Sequence, residues 1–117
     1  MRYVIFNADD FGASTGINRG VIEAHTRGVV TSASLMVTGR ARQEAVAMAR
    51  EHPSLALGLH WDVWGEDERS FDVGDEPAVR TEIARQLDAF VDLIGRPPTF
   101  TSKRIGPVTR SQSHTSW

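Results

Sequence analysis

Cysteine is absent from the 117 residues, proline and glycine number only 5 and 10, and no apolar run approaches the length of a membrane span. Without thiols there is no disulfide frame and no thiolate metal site. Sparse proline and glycine exclude collagenous and low-complexity chains. An excess of either charge is also missing, because 13 basic against 15 acidic side chains leave a net −2. That balance removes any whole-chain electrostatic case for nucleic acid or for an anionic membrane. The N-terminal apolar run, Tyr3 to Phe6, is cut off by Asp9 and Asp10, too short for a secretion signal or a span. What is present, 40% hydrophobic and 24% charged residues, is an ordinary globular composition of single-domain length. The expectation is one soluble cytoplasmic domain with no nucleic-acid partner and no membrane span.

Hydrophobic periodicity orders the chain. Tyr3-Val4-Ile5-Phe6 reads as a strand buried on both faces, ending at Asn7-Ala8-Asp9-Asp10-Phe11-Gly12. Ser14 or Thr15 can cap a helix with Ile17, Val21 and Ala24 inward and Gly28 as terminator. Val29 to Val37 reads as a second strand, about Arg40 to Glu51 as a helix stopped by Pro53, and Leu55 to Trp61 as a third strand. After an acidic loop, Trp64 to Glu76, comes a helix in which Val79, Ile83, Leu87, Phe90 and Ile94 repeat at spacings of 4, 4, 3 and 4. Asp75 and Pro77 mark its start, Gly95 and Pro97-Pro98 its end. The order β-α-β-α-β-loop-α, with a further strand possible beyond Pro98, predicts right-handed crossovers and a mostly parallel sheet. From Ser102 to Trp117 no acidic residue and no period remains, so residues 102–117 are expected to be an unstructured tail after a folded 1–101.

In a parallel sheet the carboxyl ends of the strands collect on one rim, where such folds place their sites. Asp9 and Asp10 leave the first strand there, His60 and Asp62 leave the third, and Thr38 and the Ser32 and Ser34 hydroxyls belong to the second. Two adjacent carboxylates after a buried strand disfavour each other's ionisation, and a bound cation is the usual compensation. Carboxylate with imidazole suits zinc or a similar divalent ion, and a catalytic site of that kind has three protein ligands and one open position. The metal then polarises a carbonyl and acidifies water while the second carboxylate acts as base, a combination that hydrolyses amides or esters. His25 and His52 read as surface residues, and His114 falls in the tail.

Asn7-Ala8-Asp9-Asp10-Phe11-Gly12, Val30 to Val37, Pro53 to His60, and Gly95-Arg96-Pro97-Pro98-Thr99 together resemble the YdjC-like (ChbG/HpnK) carbohydrate deacetylases. The likeness spans residues 2 to about 99, less than half of a typical member. It implies an α/β fold, a partial (β/α) barrel truncated relative to the family, and a metal-dependent hydrolase removing acetyl groups from N-acetylated carbohydrate. Carried over by this resemblance, Asp10 and His60 hold the divalent ion, magnesium or zinc, and Asp9 is the catalytic base. Trp61 and Trp64, near the rim, are candidates to stack on sugar rings.

The departure lies after Thr99, where members continue into a histidine-rich segment that supplies the third ligand and this chain has Phe100-Thr101-Ser102-Lys103-Arg104. The expectation is an N-terminal fragment whose residues from about Phe100 onward come from an interrupted frame, with impaired or no activity. The open edge of an incomplete barrel favours dimerisation or aggregation. Two alternatives stand beside this reading. One is a phosphoacceptor domain of the receiver type, casting Asp9, Asp10, Asp62 and Lys103 in its acidic and lysine roles; the other is a sugar-binding remnant without catalysis.

Overall fold

The computed structural model describes residues 1–62 and 74–103. Within them four strands alternate with three helices: β1 (Phe6–Phe11), α1 (Thr15–Arg27), β2 (Val30–Leu35), α2 (Arg42–Glu51), β3 (Ala56–Trp61), α3 (Glu76–Ile94) and β4 (Thr101–Lys103). The strands lie in chain order β1-β2-β3-β4, and every pairing is parallel. The fold is therefore the expected α/β one, a parallel partial barrel. Strand order also removes the receiver alternative, because a doubly wound sheet places β1 between its neighbours and here, among the described residues, β1 stands at the edge with β2 beside it.

Local chemistry accounts for the helix ends. The Ser14 hydroxyl accepts the Ile17 N–H at 3.1 Å to cap α1, and Asp75 accepts the Ala78 N–H at 3.2 Å to cap α3. Gly95 closes α3 with a left-handed φ of 86° and returns its N–H to the Val91 carbonyl.

One face of the sheet is apolar and covered. Ala33, Leu35, Leu57 and Leu59 join Val21 of α1, Ala45, Val46 and Ala49 of α2 and Phe90 of α3 in one buried cluster. The residues between them on the strands, Asn7, Asp9, Ser32, Ser34, Gly58 and His60, face the other way, as the period-2 geometry of strands requires. Phe100 lies across that second face, its ring against Gly58 and its carbonyl accepting the Leu59 N–H at 2.9 Å. A methyl group at Gly58 would strike the ring, which is displaceable because it is only half-buried. Gly58→Ala is expected to cost about 1–2 kcal/mol, read as a shift in the urea midpoint, as for other overpacked sites that relax in part.

Three sequence expectations are corrected. The first strand does not occupy the apolar run. Tyr3, Val4 and Ile5 are 85%, 74% and 76% exposed, and β1 begins at Phe6. Phe6 already pairs with Val30, the first residue of β2, so the preceding residues overhang the sheet with no partner strand beside them among the described residues. On α1, Ile17 is exposed and Asn18 takes the buried place beside Val21. On α3, Ile83 and Leu87 are exposed while Gln86 and Phe90 are buried, because the helix packs chiefly on β3 and α2 and is rotated to set Gln86 against the end of β3. The further strand expected beyond Pro98 is β4, which ends at Lys103. Residues 63–73, most of the acidic loop, lie outside the described residues, as do the Lys103 side chain and residues 104–117.

Candidate functional site

Two consecutive residues of a strand normally point to opposite faces, so Asp9 and Asp10 would place one carboxylate in the helix-covered core. A bulge prevents it. Ala8 pairs with Ala33 and Phe11 with Leu35, so three steps along β1 match two along β2. The extra residue is Asp10, whose φ of 63° makes it the one non-glycine residue with positive φ among those described. Aspartate tolerates this region better than most residues. The irregularity leaves both carboxylates off the apolar face and returns Phe11 to the core, where it is fully buried.

The turn after β1 is clamped to the turn after β2. Met36 donates its N–H to the Phe11 carbonyl at 2.7 Å, and Ala41 donates to the Gly12 carbonyl at 2.9 Å. Fully buried Asn18 accepts the Gly12 N–H at 2.7 Å and donates to the Ala41 carbonyl at 3.0 Å and the Glu44 carboxylate at 3.1 Å. Sequence reasoning missed Asn18. Its signal was a polar residue three positions before Val21 and four after the Ser14 cap, on the stripe that must face the sheet.

Asp10 and His60 converge. The Asp10 Oδ1 stands 3.0 Å from the Nε2 of His60, which is 2% exposed. The contact is not aligned as a hydrogen bond, and Oδ1 is buried and receives none among the described residues. Across the ring, His60 Nδ1 lies 3.2 Å from the Trp61 carbonyl. That carbonyl can only accept, so the proton belongs on Nδ1 and the Nε2 lone pair faces the carboxylate oxygen. Two lone pairs held together in a buried place repel unless a cation stands between them. Donors bound to one ion at about 2.0–2.2 Å lie about 3 Å apart, so the pair fits a divalent metal as two of its ligands. Among the described residues, no group of three His, Cys, Asp or Glu side chains gathers to hold a metal.

Asp9 sits beside this pair on the exposed side of the rim. Its Oδ1 accepts from Asn7 Nδ2 at 3.2 Å and from the Ser102 hydroxyl at 3.3 Å. Buried Ser34 ties the same groups together, bonded to Asn7 Nδ2 at 3.0 Å and to the Ser102 hydroxyl at 2.7 Å, and Ser32 donates to Asn7 Oδ1 at 2.8 Å. Asp62 accepts from the Thr38 hydroxyl at 2.8 Å, and a cleft of about 400 Å³ lined by Ser14, Thr38, Gly39, Arg40 and Asp62 opens on this rim. Trp61, half-buried, packs against the apolar cluster on the face opposite His60, and Trp64 lies outside the described residues. His25 and His52 are half-buried rather than superficial. His25 bridges the Val30 carbonyl and the Ser54 hydroxyl, and His52 bonds the Met48 carbonyl.

A sequentially ordered parallel sheet with a carboxylate–imidazole pair at the carboxyl ends of its strands defines the class: an α/β protein of the partial-barrel type. Residues 3–103 match the family described as YdjC-like protein, and the chain belongs to that family. It is 38% identical to a chitooligosaccharide deacetylase of Serratia marcescens over 84% of this chain and 47% of that protein. It is 56% identical to a carbohydrate deacetylase of Brevibacillus brevis over 49% of this chain and 23% of that one. Among solved structures it resembles a candidate cellobiose-phosphate cleavage protein of Enterococcus faecalis V583, at TM-score 0.70 and 29% identity, over 86% of this chain and 47% of the other. The chain thus spans about half the length, or less, of these relatives. No described helix is long and apolar enough to cross a membrane.

Proposed function

We propose that this chain carries the first part of a metal-dependent carbohydrate deacetylase site, acting on N-acetylated sugars. The observation that carries the reading is the buried, donorless Asp10 Oδ1 at 3.0 Å from His60 Nε2. Asp10 and His60 would hold a divalent ion, magnesium or zinc, together with a ligand from outside the described residues. When bound, such an ion polarises the acetyl carbonyl and acidifies water.

The rest falls to the chain's own groups. Asp9 would take a proton from the attacking water, a role supported by its exposure and by the hydrogen bonds from Asn7 and Ser102 that orient its carboxylate. Bulged Asp10 is held in its unusual backbone conformation by the clamped turn behind it. The cleft lined by Thr38, Arg40 and Asp62, beyond the carboxyl ends of β2 and β3, offers hydroxyl-binding groups, as a sugar requires. Deacetylase relatives covering this segment support the substrate class. With two ligands in place, activity of this chain alone is impaired or absent. Exposed Tyr3, Val4 and Ile5 ahead of β1, with exposed Phe6 at its start, favour self-association, and the location proposed is cytoplasmic.

Manganese titration followed by NMR tests the reading. Paramagnetic broadening should centre on Asp10 and His60 and disappear from both regions in His60→Ala. A short N-acetylglucosamine oligomer should shift rim resonances more than its deacetylated counterpart. Broadening centred elsewhere, or equal response to both sugars, refutes the proposal.

A further inference from the structure

Resting on the metal-site reading above, we propose that Gln86 of α3 is a positioning residue for the His60 imidazole, acting through the Trp61–Asp62 peptide group. Gln86 is 0% exposed on a helix whose other fully buried residue is Phe90. A buried glutamine must place one acceptor and two N–H donors, and this one places all three. Its Oε1 accepts the Asp62 N–H at 3.0 Å, while its Nε2 donates to the Asp62 carbonyl at 2.8 Å and to Glu82 Oε1 at 2.9 Å. The side chain thus pairs with the Asp62 backbone as a neighbouring strand would. Glu82, one turn earlier, also takes Arg85 at 2.6 Å, so the amide's outer end is braced on the helix itself.

The Asp62 N–H and the Trp61 carbonyl belong to one planar peptide unit. Gln86 grips the N–H end, and His60 Nδ1 bonds the carbonyl end at 3.2 Å. A hydrogen bond accepted from the N–H polarises the same peptide's carbonyl and makes it a better acceptor. The chain from Gln86 Oε1 through the peptide to Nδ1–H fixes both the plane of the ring and its tautomer, leaving the lone pair on Nε2 toward Asp10. Metal-ligating histidines commonly have their second nitrogen held in this way, and loss of such a partner typically lowers metal affinity about 10–100-fold. Here the hold extends one residue further, to a helix that contributes no ligand. It also explains the rotation of α3, whose buried stripe runs through Gln86 rather than through Ile83 and Leu87.

The test reads the His60 ring nitrogens by 15N NMR in the metal-free full chain, so it needs neither bound metal nor turnover. Wild type should carry the proton on Nδ1. In Gln86→Met, similar in volume but unable to hold the peptide, the Nε2–H form should become populated and manganese affinity should fall about tenfold or more. Phe90→Leu, which loosens the same helix one turn on without touching the peptide, should leave both readouts at wild-type values. Nε2–H in wild type, an unchanged tautomer in Gln86→Met, or equal losses in Gln86→Met and Phe90→Leu would each overturn the proposal. If instead the tautomers behave as stated while wild type shows no manganese broadening at Asp10, the deacetylase reading fails and the positioning role of Gln86 stands.

Discussion

Gly39→Ala is expected to destabilise the folded chain by about 3 kcal/mol, at the upper end for a side chain forced into a site that cannot relax. A Cβ built at Gly39 meets the Gly12 carbonyl and the Ala13 nitrogen, both backbone atoms, so no rotamer change relieves the clash. The segment cannot retreat, because Gly39 donates to the Met36 carbonyl and Gly12 accepts from Ala41. For a domain of this size the loss corresponds to about 10–20 °C in melting temperature. Gly20→Ala is the control. Nothing lies within contact distance of a Cβ there, and alanine is the better helix former, so stability should be unchanged or rise by up to about 1 kcal/mol. A Gly39→Ala protein that melts with wild type would show that the two turns are not in contact.

Asn18→Ala comes next, with an expected loss of about 2–4 kcal/mol, seen as a lower urea midpoint with little change in slope. Truncation leaves the Gly12 N–H without its acceptor and removes one donor from the Ala41 carbonyl, both at the buried junction of α1, the β1 turn and α2. The cost is mostly that of stranded polar groups rather than of lost contact area. Asn18→Asp separates the contributions. It keeps an acceptor for Gly12 but sets a carboxylate against Glu44, so it should be no more stable than the alanine variant. Because the same junction holds the turn that follows Asp10, both aspartate signals should broaden less with manganese in either variant.

Much of the architecture was legible in the chain because apolar spacing and terminators agreed with each other. Ser14, Gly28, Asp75, Pro77 and Gly95 each mark a helix end where the sequence placed one, and the rim position of Asp10 and His60 follows from parallel strands ending side by side. Errors arose where a polar residue occupies a buried stripe. Asn18 and Gln86 are invisible to a hydrophobicity pattern, yet each satisfies several backbone groups and so sets how its helix is rotated, at the expense of Ile17, Ile83 and Leu87. The start of β1 was misplaced for a different reason. Apolar character marks what is capable of being buried, whereas a strand also needs a neighbour, and β2 begins only at Val30. The convergence of Asp10 Oδ1 and His60 Nε2 is tertiary, and likeness to a family supplied it before any geometry did.

The irregular step in β1 has an implication for how such a rim arises or decays. Side-chain exchange alone does not seat neighbouring acidic groups on one side of a strand; the backbone has to carry an additional residue. Shortening β1 by a single codon between Ala8 and Phe11 would keep every other letter of the motif, yet restore strict alternation and leave one acid in place of two. Loss of the pair is therefore a frame-preserving deletion away, while its recovery requires an insertion at the same spot.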